Sequence, residues 1–190
     1  MAMSRFIEAV LEHLGSRPIV EITDQLIADT AGINRASLYR YFATRDQLFD
    51  AVLSQLTDEW MQVATSNPPP KIDAGDVMGL PKLFSSLMHS TQRIFEVIAY
   101  LTGSGYRSAQ IETSLATVVG EWVKIMTSYG IEPRVANAFA IKNLALNFTQ
   151  VAVRPVFDLQ PGAIADVAAL TLVELTNHQL STEKLGWGDN

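Results

Sequence analysis

Apolar residues recur along this chain at spacings of three and four, block after block, and the strict alternation of a half-buried strand is nearly absent. The first block, Phe6, Ile7, Val10, Leu11 and Leu14, follows Ser4 as a candidate cap and stops at Gly15. Two shorter blocks come next: Leu26, Ile27 and Ala31 between Thr23 and Gly32, then Leu38 and Phe42 behind Asn34. Thr44 followed by Gln47 has the spacing of a capping box and opens a long helix through about residue 64, with Leu48, Phe49, Val52, Leu56 and Met61 on its inner side. Farther on, the pattern predicts helices over about 83–101, 109–129, 134–154 and 163–180. The third of these is apolar around so much of its circumference that burial on more than one side is expected. Between 66 and 81, Pro68, Pro69, Pro70, Gly75, Gly79 and Pro81 preclude one regular helix and predict a long connection.

The densest signal lies between residues 23 and 48. The Thr23 hydroxyl can accept from an N–H of a first turn, Gly32 can take the left-handed conformation that ends a helix, and Asn34 can cap a second helix from Arg35 to about Tyr41. So short a connection holds two helices at a steep angle, the geometry that lays the second into the major groove of DNA. With Leu38 and Phe42 turned inward, Arg35, Ala36, Ser37, Tyr39, Arg40 and Tyr41 are left for the outside or the helix ends. Arginine can pair with both acceptors of a guanine edge, and the small Ala36 and Ser37 let the backbone approach the bases. Tyrosine hydroxyls and Arg45 suit phosphates. Together with the two capping residues, Thr23 and Asn34, these form the candidate DNA-contacting set.

Those same residues carry a family resemblance. Thr23, Ile27-Ala28, Gly32-Ile33-Asn34, Ser37-Leu38-Tyr39, Tyr41-Phe42, Arg45 and Leu48 stand at the spacing of the DNA-binding signature of the TetR family of transcriptional regulators. The Leu-Tyr-x-Tyr-Phe run with the cap behind it is far rarer by chance than a bare helix-turn-helix, and the resemblance covers roughly residues 5–60. It implies an all-α fold: an N-terminal three-helix helix-turn-helix DNA-binding domain at 1–47 and a C-terminal helical ligand-binding and dimerisation domain at 48–190, joined by a helix at about 45–64. The function it implies is that of a ligand-responsive repressor, a homodimer on double-stranded operator DNA released by a small-molecule effector.

Length and charge shape this picture. A chain of 190 residues has room for a small domain beside a larger one. A formal net charge of −6 works against phosphate binding, and residues 1–45 hold five arginines against five acids. A DNA face must therefore come from segregation of charge, and none of the acids falls between Ile33 and Arg45. Affinity is expected to rest on dimerisation and to fall steeply with salt. With no cysteine there is no thiolate ligand or nucleophile. His13, His89 and His178 are dispersed, so neither a metal site, nor a cofactor, nor an enzyme is expected. No run approaches the roughly 18 apolar residues of a membrane span, and the expectation is a soluble cytoplasmic protein.

Effector chemistry is less legible. Phe84, Met88, Phe95, Leu115, Trp122, Met126, Phe139, Asn143 and Asn147 are the candidate ligand contacts and suggest a mainly apolar molecule, although the apolar ones serve equally as ordinary core. Asn143, Asn147, Gln150 and Arg154 form a polar row, read first as an exposed face and otherwise as pocket or dimer contacts. Glu112, Glu121 and Lys124 are expected to face water, as is His13. Ala165, Ala168 and Ala169 permit close helix approach, so the last two helices can pair with their copies as a four-helix bundle. The alternative function is a non-catalytic helical adaptor acting through a protein partner; an adaptor has no reason to keep the second short helix clear of acids.

Overall fold

Helices account for every regular element among the described residues of the computed structural model, which are 2–66, 71 and 79–157. They are α1 (Ala2–His13), α2 (Asp24–Ala31), α3 (Arg35–Tyr41), α4 (Arg45–Ser66), α5 (Gly79–Gly103), α6 (Ala109–Ser128) and α7 (Pro133–Phe157). A short 3-10 turn at Ile19–Glu21 precedes α2. The expectations for the side chains of Phe84, Asn147, Gln150 and Arg154, and for the helix at 163–180 with its alanines, lie outside the described residues.

Three boundaries differ from the pattern. Ser4 sits inside α1 and gives its hydroxyl to Glu8, one turn on, at 2.8 Å, so it is not the cap. Gly79 and Pro81 belong to the start of α5. A proline in the first turn removes an N–H that has no intrahelical acceptor anyway. At the other end α7 runs through Pro155 to Phe157. Lacking an N–H so near the helix end, proline forfeits a single intrahelical bond.

The chain divides into two compact units, one of Met1–Ser66 with Arg93–Val118, the other of Asn67–Gln92 with Val119–Asn190. In the first, α1 packs on α2, α3 and α4. Phe6, Val10, Ile22, Ile27, Leu38, Leu48, Phe49, Val52 and Leu53 have no exposed surface. Each such side chain contributes roughly 1.5–3 kcal/mol on transfer from water. Polar ties fasten the same unit. His13 is not a surface histidine: its Nε2 meets the Thr30 hydroxyl at 2.8 Å and joins α1 to α2. Arg93 on α5 donates to the Leu11 carbonyl at 2.7 Å, placing a cation at the C-terminal end of α1 where the helix dipole favours it. Thr57 on α4 and Ser114 on α6 share a hydrogen bond of 2.8 Å, and Ser108 caps α6 while donating to Asp50 of α4.

In the second unit Met88, Trp122, Met126, Ala136, Phe139 and Ala140 are enclosed. Two expectations fail here. Glu121 is buried, with Lys124 at 3.3 Å as its partner, and Asn143 is buried, donating from Nδ2 to the Phe139 carbonyl at 2.8 Å. Helical spacing places both on the inner face; only their chemical type suggested water. The expectation that α7 is buried on more than one side is not met among its described side chains: the enclosed ones there, Ala136, Phe139, Ala140 and Asn143, follow one stripe, while Ile141 is 53% exposed.

Candidate nucleic-acid interface

The helix-turn-helix is built as its capping residues dictate. Thr23 Oγ1 accepts from Leu26 N at 3.2 Å, and Asn34 Oδ1 accepts from Ala36 N at 2.8 Å. Neither bond consumes the donor each side chain keeps, the Thr23 O–H and the Asn34 amide. Gly32 stands at φ 62°, the left-handed conformation, and the Ile33 N–H returns to the Ala28 carbonyl at 3.0 Å. A Cβ at that position would be strained and would come within 3.0 Å of the Arg5 guanidinium. At Thr44 one half of the capping box forms, Gln47 N–H donating to Thr44 Oγ1 at 3.2 Å, while the return bond is shifted by one residue, Gln47 Oε1 accepting from Ala43 N at 2.8 Å.

With Leu38 fully enclosed and Phe42 nearly so, α3 is locked by its inner side. Its outer side presents Arg35, Ala36, Tyr39, Arg40 and Tyr41 to solvent, with Ser37 half-buried. Tyr41 leans its ring toward Phe6 at 6.2 Å between centroids, and the Arg40 guanidinium lies 6.0 Å from the Tyr41 ring. This is a helix face of donors, and a major groove admits an α-helix.

Behind that face lies an acid the sequence did not single out. Asp24, in the first turn of α2, receives Arg45 Nη1 on Oδ1 at 2.8 Å and the Tyr39 hydroxyl on Oδ2, and that same Oδ2 is 3.8 Å from Arg35 Nη2. Freedom of the recognition helix from neighbouring acids, true along the chain, does not hold in space. Burial pushes the Asp24 carboxyl up, but the hydrogen bonds from Tyr39 and Arg45 and the charges of Arg45 and Arg35 outweigh it and hold the group below the usual carboxylate range. The same bond raises the Tyr39 phenol above its ordinary value, because the hydroxyl proton is held on the carboxylate.

Arg45 is engaged on all its nitrogens. Besides Asp24, its Nη2 donates to the Ile22 carbonyl and, at 3.3 Å, to that of Ile19, while its Nε donates to the Tyr100 hydroxyl of α5 at 3.0 Å. Its guanidinium also lies 4.9 Å from the Phe49 ring centre. One guanidinium thus joins the entry to α2, the start of α4 and the second half of α5. A cleft of about 480 Å³ opens over this knot, lined by Val20, Thr23, Asp24, Gln25, Arg35, Arg45 and Tyr100. Asp24 and Tyr100 are the two participants sequence reasoning missed. For Asp24 a faint signal existed, as the acid that opens α2 just ahead of a basic, acid-free stretch; for Tyr100 there was none.

Of the candidate effector contacts, Phe95 and Leu115 belong to the first unit, enclosed and half-buried respectively. Met88, Trp122, Met126, Phe139 and Asn143 are all buried in the second.

Fold and site together define a helix-turn-helix head whose second helix offers its donors to solvent. Residues 7–52 match the sequence model of the bacterial regulatory proteins, tetR family. Among curated proteins none matches it. Solved structures share the fold at low identity. A transcriptional regulator from Rhodococcus sp. Rha1 is 16% identical, with 92% of this chain and 95% of that one covered and a TM-score of 0.63. The multidrug binding protein EbrR, complexed with imidazole, is 17% identical over 90% of this chain and 94% of its own, with a TM-score of 0.58. FadR from Bacillus subtilis, in complex with stearoyl-CoA, is 15% identical over 90% and 97%, with a TM-score of 0.56. Among the described residues no helix is long and apolar enough to cross a membrane.

Proposed function

We propose that this chain is a homodimeric repressor that reads operator DNA with α3 and releases it when a mainly apolar small molecule binds. The observation that carries this reading is the outward face of α3, where Arg35, Ala36, Ser37, Arg40 and Tyr41 surround an anchored Leu38. Arg35 and Arg40 supply base contacts, and Tyr39, Tyr41, Thr23 and Asn34 supply phosphate contacts. Arg45, with its donors engaged inside the chain, acts on DNA by holding the head in shape.

The division of labour places the DNA-binding domain at 1–47 and the ligand-binding and dimerisation domain at 48–190. Exposed Ile141 on α7 supports a role for that helix in pairing two copies. For the effector, support comes from the enclosed Met88, Trp122, Met126 and Phe139 with the buried amide of Asn143, and from the small molecules held by EbrR and FadR on the same fold. A site of this make-up takes an apolar body and offers one polar group to orient it.

The decisive experiment selects a duplex from a random pool with the full-length protein and titrates it against candidate effectors. Linkage requires the selected duplex to weaken effector binding by the same factor that effector weakens DNA binding. Equal effector affinity with and without the duplex overturns induction; failure to enrich any duplex overturns DNA reading itself.

A further inference from the structure

The two oxygens of Asp24 serve different clients. Oδ1 faces Arg45, which is turned into the head, whereas Oδ2 faces Tyr39 and Arg35, which are turned toward solvent on the recognition helix. Tyr39 is 48% exposed and the Arg35 side chain 57%, so both reach the surface that DNA would meet. A tyrosine hydroxyl and an arginine are the donors a phosphate takes, and Oδ2 takes them first. Like a phosphate oxygen, it is an anionic acceptor of charge-assisted hydrogen bonds.

We propose that Asp24 is an internal stand-in for a DNA phosphate that sets DNA affinity: it holds Tyr39 and Arg35 in the free protein, so that a duplex must displace a carboxylate to engage them. The proposal rests on the DNA-binding reading above. Any duplex, whatever its sequence, has to compete with Oδ2 for these donors and to approach its charge. A correct sequence still binds because base contacts along α3 exceed that cost. The carboxylate therefore lowers affinity for every duplex by a common factor and sets how tightly the head holds DNA of any sequence.

Asp24→Asn separates the two roles. The amide oxygen can still accept from Arg45, while the amide nitrogen in place of Oδ2 can neither accept from Tyr39 nor attract Arg35. With the full-length variant, binding to a random-sequence duplex is expected to tighten roughly three- to eightfold near 0.1 M salt. On random DNA, where Arg35 finds no matching base edge and turns to a phosphate, the salt slope should steepen by about 0.9, the increment for one further neutralised phosphate. Binding to the selected duplex should tighten by a similar factor, so the specificity ratio holds. In an Arg35→Ala background the same substitution should leave the slope unchanged. Asp24→Ser, smaller and neutral, carries the same expectation should the asparagine variant melt early. Unchanged or weaker binding to random DNA, an unaltered slope, or an equal steepening in the Arg35→Ala background overturns the proposal. If the wild-type protein binds neither duplex, the DNA-binding reading fails and takes this proposal with it, an outcome distinct from wild-type binding that Asp24 does not influence.

Discussion

The outer and inner sides of the head use arginine and tyrosine to opposite ends. On the outer side Arg35, Arg40 and Tyr41 stand in water along α3, whose backbone Leu38 and Phe42 anchor, with only the 3.8 Å approach of Arg35 to Asp24 and the ring contacts of Tyr41 beside it. On the inner side Arg45 gives its nitrogens to Asp24, two backbone carbonyls and Tyr100, and Tyr100 stacks against Phe49 with ring centres 4.7 Å apart. Residue type does not distinguish these roles. What distinguishes them is whether a carboxylate and a set of carbonyls wait across the helix, and Asp24 stands where the two sides meet.

If that contrast is right, substitutions on the inner side lower stability and those on the outer side lower DNA affinity alone. The largest effect belongs to Arg45→Ala, which leaves Asp24 Oδ1 and the Ile22 carbonyl without the guanidinium and should destabilise the full chain by about 2–4 kcal/mol in denaturant unfolding. An alanine variant as stable as the wild type but deficient on all DNA would move Arg45 to the outer side and break the comparison.

Next in size, Arg35→Ala should cost about 1–3 kcal/mol of binding to the selected duplex while leaving the unfolding midpoint in place, because its contact to Asp24 is long and exposed. Equal losses on selected and random duplexes would exclude Arg35 from base readout. A smaller change is expected for Asn34→Ala, which removes the acceptor of the Ala36 N–H: about 1 kcal/mol of stability, read by thermal or chemical unfolding, with DNA affinity falling alongside. No loss of stability would show that the turn, and not the cap, fixes the start of α3.

The smallest effect sharpens the position of Asp24 through pH. Its folded-state carboxyl lies lower than in the unfolded chain, so the native state binds fewer protons there. That contribution to stability is complete above the ordinary carboxylate range and is lost as pH falls through the lowered value. Asp24→Asn should therefore flatten part of the acid limb of stability against pH below about pH 4. An acid limb identical in both proteins would mean that Asp24 is no better held folded than unfolded.

How much of this was legible varies along the chain for physical reasons. Thr23, Gly32 and Asn34 act within three residues of themselves, so their capping roles follow from local chemistry and were readable in order. Leu38, Phe42, Leu48 and Phe49 were likewise placed by period alone. The same logic misplaced Glu121 and Asn143, because polarity was allowed to overrule helical position. It also missed the tie from His13 to Thr30, whose partner lies on a different helix.

By itself the sequence determined the helices, their caps and the inner stripe of α3, since each depends on hydrogen bonds and burial repeated over one or two turns. Only the tertiary structure decided which long side chains turn outward and which are taken up inside. Arg45 reaches Asp24 across 21 positions and Tyr100 across 55, and no local period encodes those separations. A guanidinium on a flexible stem goes where a carboxylate, a phenol and unpaired carbonyls converge, and that convergence exists only once α2, α4 and α5 have packed.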